Sequence, residues 1–211
     1  MEANGGGTGE EGRWNDTARR RYGRTVLGPQ DDLDPPPRRV LVAGTSGAGK
    51  TTAARRIARI LGVPRTEIDG LYHGAGWEPR PTFVADVEAF TSAPAWVIEW
   101  QYTAVRPLLA ERADTLVWLD LPVPVTLWRL TRRTVLRRLH RVELWNGNVE
   151  PGLRTVFTDP GHILRWGFRT RHSARELVPG LEARVPHLRI VRLRTLRDVD
   201  RWIRRLSRQH G

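Results

Sequence analysis

A chain of 211 residues is long enough for one domain with a sizeable core, or one domain and a tail. It has no cysteine, which excludes disulfide scaffolds and cysteine-ligated zinc or iron–sulfur sites. The 35 basic residues outnumber the 23 acidic ones to give a net charge of +12. All the basic residues are arginine except Lys50, and a bias toward arginine that spares one lysine marks that position as special. No apolar run approaches the ~20 residues that cross a bilayer. The first ten residues lack a basic and then apolar leader, so a cytoplasmic protein without a membrane partner is expected.

Residues 1–37 are rich in Gly, Asp, Arg and Pro and carry a net charge of −2. They read as a disordered tail closed by Asp34-Pro35-Pro36-Pro37, with Arg19–Arg21 as part of a solvated linker. Residues 38–211 then read as one domain, in which short apolar runs alternate with helical patterns, as in a parallel α/β sheet. The expected strands are Arg39–Ala43, Thr66–Ile68, Ala95–Glu99, Thr115–Asp120 and Leu188–Leu193. The expected helices are Lys50–Leu61, Thr82–Thr91, Ala104–Ala113, Val125–Leu144, His162–Val178 and Leu196–Arg208. Thr195 and Asp198 form a capping-box pattern at the start of the last one.

Between the first strand and the first helix, Gly44-Thr45-Ser46-Gly47-Ala48-Gly49-Lys50-Thr51 fits G-x-x-x-x-G-K-[ST] at every fixed position. Glycines let consecutive backbone N–H groups face a phosphate, and the following helix N-terminus adds partial positive charge. Lys50 supplies a mobile charge for the β- and γ-phosphates, and the Thr51 hydroxyl suits Mg²⁺; Thr52 continues the helix start. Such a loop needs acids nearby, and Asp69, Glu99 and Asp120 close apolar strands where open α/β sheets place ligands. Each also reads as a helix cap or solvated turn, and Leu121-Pro122 after Asp120 suits a structural turn.

The segment Trp128–Leu144 repeats Trp128, Thr131, Val135, Leu139 and Val142 at helical spacing, a pattern expected to face a core or hinge. Arg129, Arg133, Arg137 and Arg141 form a stripe at intervals of four, with Arg132 and Arg138 beside it. Like charges at that spacing repel, and a bound phosphate would offset the cost; an arginine-heavy surface helix is the plainer reading. The excess charge lies in residues 129–211, net +13, which favours phosphate groups, nucleotides or nucleic acid as partners. His73, Tyr102 and Arg106 join Asp69 as candidates for substrate binding, although a lone loop histidine is commonly plain polar surface. Most of the nine tryptophans read as core or interface anchors, and Trp77, Trp100 and Trp145, in or near Gly-, Pro- or Asn-rich stretches, are the ones singled out for a further role.

The stretches GTSGAGKTT, EIDGLYHGAGW, WVIEWQY, RADTLVWLDLP and LWNGNVE, in this order, resemble the adenylate-kinase-like P-loop proteins of the topology modulation (FlaR-related) group. The resemblance covers residues 38–206. It implies a nucleoside/shikimate-kinase type of fold, with a five-stranded parallel sheet in order 2-3-1-4-5 and a helical arginine-bearing lid over roughly residues 129–160. It also implies Lys50 and Thr51 at the phosphate and magnesium positions and an acid, Asp69, on the acceptor side. Glu99 falls where similar proteins have Asp in an Asp-Gly-Asn-Tyr pattern; here the text is Glu99-Trp100-Gln101-Tyr102. Arg129, Arg132, Arg133 and Arg137 fall in the lid, and Arg194 near the expected adenine position.

The functional expectation is a kinase that transfers the γ-phosphoryl group of ATP to a small molecule or nucleotide, with Mg²⁺ held by Thr51 together with Glu99, or with Asp69, through water. Lys50, Glu99, Asp69, Arg133 and Arg137 are the candidate catalytic groups. The alternatives are an ATP-gated nucleic-acid-binding protein and a nucleotide-binding regulator without an acceptor.

Overall fold

A computed structural model describes residues 26–148, 152 and 163–210. Four parallel strands, β1 (Arg39–Gly44), β2 (Trp96–Glu99), β3 (Thr115–Leu119) and β4 (Arg189–Leu193), form one sheet in the order β2-β1-β3-β4. Val40 stands level with Val97 on one side and Thr115 on the other. Helices cover both faces, which is why these strands read as continuous apolar runs rather than alternating ones. Leu41, Ile98, Leu116 and Ile190 face one core layer with α3 (Phe83–Thr91) and α4 (Arg106–Arg112). Val40, Val42, Val117 and Val191 face the other, against α1 (Lys50–Leu61) and α9 (Leu196–His210). No described helix is long and apolar enough to cross a membrane.

The sheet corrects the expectation of five strands in order 2-3-1-4-5. The segment 66–68 is not a strand. Arg65 makes a single parallel bridge to Val97, and Val97 N–H donates to the Pro64 carbonyl at 3.0 Å. Two residues on, the Glu99 carboxylate accepts the Ile68 N–H at 3.1 Å, and the chain turns into the short helix α2 (Ile68–Tyr72). A buried side chain thus takes the donor that a ladder would need.

The helices also differ from expectation. The one expected over Val125–Leu144 is α5, Val123–Leu139, with Arg141 at φ 45° beyond its end. Its buried face is Thr126, Leu130 and Thr134, whereas Trp128, Leu139 and Val142 are exposed, so the apolar repeat expected to face a core does not do so. The helix expected over His162–Val178 is broken into α6 (Ile163–Arg169) and α7 (Ser173–Leu177). Thr170 and Ser173 hydroxyls there donate to the Trp166 and Thr170 carbonyls, local bonds that compete with a continuous helix. A further helix, α8 (Leu181–Arg184), precedes β4. The capping box of α9 is formed: Asp198 N–H donates to Thr195 Oγ1 at 3.0 Å, and Thr195 N–H to Asp198 Oδ2 at 2.9 Å.

Of the expected tail, residues 1–25 lie outside the described residues. From residue 26 on the chain lies against the domain: Leu27 bridges Val191, Leu33 is buried, and Arg205 donates twice to Asp32 at 2.6 Å. Within the expected lid, residues 149–151 and 153–160 lie outside the described residues.

Asp120, at the end of β3, is buried and accepts from Arg175 Nε at 2.6 Å and from the Arg192 guanidinium. It therefore ties α7 and β4 to the sheet. Asp120→Ala leaves two arginines without their acceptor and is expected to destabilise the fold. The loss should be about 3 kcal/mol, the low end for a broken buried pair because Arg175 remains partly hydrated. Urea unfolding measures it; a loss below about 0.5 kcal/mol would mean that water replaces the carboxylate.

Candidate phosphate-binding cleft

The loop between β1 and α1 is shaped by what lies behind it. A Cβ on Gly47, which sits at φ 83°, would stand 2.1 Å from the Thr126 carbonyl oxygen and 3.0 Å from Leu130 Cβ. Only glycine fits, because α5 approaches the backbone too closely for a side chain. Arg129 Nε donates to the Gly47 carbonyl at 3.1 Å from the same helix. Gly49, left-handed at φ 97°, is the N-cap of α1, so the loop runs directly into a helix N-terminus with its unpaired N–H groups.

Lys50 Nζ donates to the Thr45 carbonyl at 3.3 Å. Burial pushes its ammonium below the ordinary value; the charges of Asp69 and Glu99 oppose this, and Arg133 and Arg106 reinforce it. Glu99 is buried at the end of β2, with Oε2 bonded to Ile68 N–H and Oε1 without a hydrogen-bond partner. Burial raises its pKa above the usual value, and Asp69 adds to the rise. Asp69 Oδ1 accepts from Gln101 Nε2 at 2.8 Å and from the Tyr102 hydroxyl at 2.7 Å. Tyr102, at φ 58°, is pushed far above the ordinary phenol range by burial and then by the Asp69 charge. Its hydroxyl also meets His73 Nε2 at 3.3 Å, and its ring stacks on Tyr72 at 4.1 Å.

These groups share one cleft of about 1480 Å³. The loop residues Gly44, Thr45, Ser46, Gly47, Gly49, Lys50, Thr51 and Thr52 line it, while Ala48 is buried beneath. Asp69, His73, Glu99, Tyr102 and Arg106 line it as well. So do Arg129, Arg132, Arg133 and Arg137 of the stripe; Arg138 and Arg141 do not. Arg194 is not brought to the cleft either: its N–H joins the cap of α9 through Asp198. Asp120 lies outside, in its ion pairs. Other basic residues of the C-terminal segment are also taken up by carboxylates: Arg189 by Asp114 at 3.6 Å, Arg201 by Asp198 at 3.8 Å and Arg205 by Asp32 at 2.6 Å.

Beyond the far end of the arginine helix, the chain reaches the segment that follows α2 through two 3₁₀ turns, Ala75–Trp77 and Trp145–Gly147. Trp145 Nε1 donates to Glu67 Oε2 at 2.9 Å, and its ring lies over Gly70, where a Cβ would come within 2.8 Å. Buried Asn148 accepts from Trp77 N–H at 3.0 Å and donates to the Gly74 carbonyl at 2.8 Å. Burial would raise Glu67, but hydrogen bonds from Trp145 and Arg65 outweigh it and hold the carboxyl below its usual value. Gln101, Glu67 and Asn148 had no individual signal in the sequence. The Trp-Asn-Gly-Asn turn at 145–148 was the nearest hint.

Among the described residues, no group of three His, Cys, Asp or Glu could hold a metal by itself. Mg²⁺ commonly binds through one or two carboxylates together with substrate phosphates. The unpartnered Glu99 Oε1, in the cleft that Thr51 also lines, fits that kind of site.

Fold and loop together define a parallel α/β protein of the P-loop kind. No family model matches the chain. Over 51 residues, 24% of the chain, it is 41% identical to the ATP-dependent protease ATPase subunit HslU of Campylobacter jejuni, and 37% identical to that of Staphylococcus saprophyticus. The matched stretch spans 12% and 11% of those proteins. Similar solved structures are a gluconokinase from Sinorhizobium meliloti and a shikimate kinase from Acinetobacter baumannii in complex with shikimate. The first is 20% identical, with a TM-score of 0.47 over 82% of this chain and 94% of that one. The second is 18% identical, with a TM-score of 0.47 over 91% and 93%.

Two outcomes test this geometry. Because burial raises the Glu99 pKa, its stabilising protonated form is fully present below the unfolded value near 4.5 and is lost as pH rises through the higher folded value. Glu99→Gln, a permanent mimic of that form, should unfold at a higher temperature than the parent at pH 7 and at nearly the same temperature at pH 4. A variant less stable at pH 7 would show that the carboxylate is well solvated. Gly70→Ala should push the Trp145 ring aside. The Trp77 and Asn148 amides should then exchange hydrogen about tenfold faster, as expected from loss of about one hydrogen bond, while β1 and β3 amides stay protected. Unchanged exchange would mean that the ring shifts without opening the contact.

Proposed function

We propose that this chain is a P-loop phosphotransferase that moves the γ-phosphoryl group of Mg-ATP to a small-molecule or nucleotide acceptor. The observation that carries the reading is the continuity of the cleft. The phosphate loop with Lys50 opens into the space of Asp69, Glu99 and Tyr102, under the Arg129–Arg133–Arg137 face of α5. A nucleotide-binding regulator needs the first half alone; an acid held by two donors on the acceptor side suits a group that receives the phosphoryl.

In this mechanism the loop N–H groups and the α1 N-terminus hold the phosphates, and Lys50 neutralises charge on the transferring group. Thr51 and Glu99 would hold Mg²⁺, which would supply positive charge to offset that of the phosphates. Gln101 and Tyr102 occupy Asp69 Oδ1, so Oδ2 is the atom assigned to accept the acceptor's hydroxyl proton. Arg133 and Arg137 face the transferring phosphoryl with planar donor forks, and Arg129 holds the loop. The aromatic walls formed by Tyr72, Trp77 and Phe83 keep water from the reacting atoms.

Lys50→Ala should retain its circular dichroism spectrum and unfolding cooperativity but lose phosphoryl transfer by at least about 10²-fold, as expected for removal of one transition-state charge. Transfer from γ-labelled ATP into a pool of nucleosides, nucleotides and hydroxy metabolites measures this. Parent-like labelling by the variant would refute the mechanism.

A further inference from the structure

Arg106 lines the cleft from α4, away from the arginine stripe of α5. It opens α4 and is half-buried, with its guanidinium 5.4 Å from the centre of the Trp100 ring. Trp100 Nε1 donates to the Arg106 carbonyl at 3.1 Å, which fixes ring and backbone together. Its Nε is cut off from solvent and has no hydrogen-bond partner. Among the described residues no carboxylate lies within ion-pair distance of it, whereas Arg175, Arg189, Arg192 and Arg205 each have one. Burial alone pushes its guanidinium below the ordinary value, with no acid opposing it. A desolvated donor without an acceptor costs free energy, a cost that a bound anion removes.

Position assigns that anion. Arg106 lies on the segment that follows Gln101 and Tyr102, the two donors that hold Asp69. It is also near enough to Lys50 to depress its ammonium. The nucleotide phosphates already have the loop, Lys50 and the α5 arginines, so the charge at Arg106 is left for the other substrate.

Resting on the phosphotransferase reading, we propose that the acceptor is anionic and that Arg106 binds its carboxylate or phosphate group while Asp69 faces the oxygen that attacks. For a hydroxyl acceptor the step balances as follows. The acceptor oxygen bonds to the γ-phosphorus, the bond from that phosphorus to the β–γ bridging oxygen breaks, and its electron pair leaves with ADP. The hydroxyl proton passes to Asp69. When a phosphate oxygen of the acceptor attacks, no proton is released.

The test uses the full chain labelled with ¹⁵N-arginine and saturated with Mg²⁺ and the non-hydrolysable analogue AMP-PNP. Inorganic phosphate and glycolate are titrated separately while the Arg106 Nε–H resonance, assigned by its absence in Arg106→Gln, is followed. A saturable shift of this resonance with either anion is the expected result: phosphate assigns a phosphate-bearing acceptor, and glycolate a hydroxy acid. Arg106→Gln, with its fold checked by thermal unfolding, should bind the same anion at least about tenfold more weakly than the parent when both are measured by isothermal titration calorimetry. Should Gln disturb the fold, Arg106→Lys keeps the charge but loses the planar fork and should show the same direction. No shift with either anion, or equal affinity in the folded variants, overturns the proposal. Failure of the phosphotransferase reading is seen separately, as absence of labelled product from γ-labelled ATP or of AMP-PNP binding. The Arg106 resonance is then followed in the nucleotide-free protein and judged by the same criterion.

Discussion

Everything at the cleft depends on how closely α5 is seated on the glycine loop. Leu130 fills the space of two missing side chains, since a Cβ on Gly47 would lie 3.0 Å from its Cβ and one on Gly167 would lie 2.3 Å from its Cδ2. One leucine therefore locks the phosphate loop, the arginine helix and α6 into a single packed unit. The Thr126 carbonyl and the Arg129–Gly47 hydrogen bond complete the seat. The buried face of α5 is accordingly Thr126, Leu130 and Thr134, spaced by four. With that stripe committed to packing, Arg129, Arg133 and Arg137, also spaced by four, run along the cleft. The mutual repulsion of these arginines is tolerated because their helix is held by the packing of Leu130 and by the Arg129–Gly47 hydrogen bond.

The ionisable groups at the bottom of the cleft oppose stability. Lys50 loses hydration, and its closest protein acceptor is a backbone carbonyl rather than a carboxylate. Glu99 gives one oxygen to Ile68 N–H and leaves the other without a donor in a buried position. A protein selected for stability alone would pair these two charges or replace them with apolar groups. Kept apart in one cleft, they retain capacity for external partners: phosphate oxygens for the ammonium and a cation for the carboxylate. Strain of this kind, tolerated by a well-packed sheet, is what distinguishes the site from the paired Asp120 cluster on the neighbouring strand.

The glycine loop between β1 and α1 was legible in the sequence because its glycines, its lysine and the strand before it are all local. So were the cap of α9 and the acid at the end of β2. The second expected strand failed because its fate turns on a contact across 31 residues, Ile68 N–H to the Glu99 carboxylate, which no window around Thr66–Ile68 contains. The face of α5 was misread for a related reason. Its apolar repeat through Trp128 and Val135 is real, but the narrower Thr126–Leu130–Thr134 stripe matches the glycines opposite, and only the partner surface shows that. Asp120 was ambiguous from sequence; its two arginines lie 55 and 72 residues away. Arg194 was placed by analogy of position, and its N–H is used by the cap that the sequence itself announced.

The two 3₁₀ turns give the arginine helix a second anchor, opposite its seat on the phosphate loop. Each has two residues at positive φ, Gly76 and Trp77 in one and Asn146 and Gly147 in the other, a shape that presents backbone groups outward rather than along a ladder. Asn148 joins them through its side chain, Asn146 donates to the His73 carbonyl, and Trp145 donates to Glu67. Separating the turns would break these bonds together, at roughly 1 kcal/mol each, so they move as one body or open cooperatively. His73, Tyr72 and Tyr102 lie directly behind this contact and in front of Asp69. The contact therefore holds the aromatic side of the cleft and the segment that follows α5 in one arrangement, while Leu130 fixes the helix itself against the glycine loop.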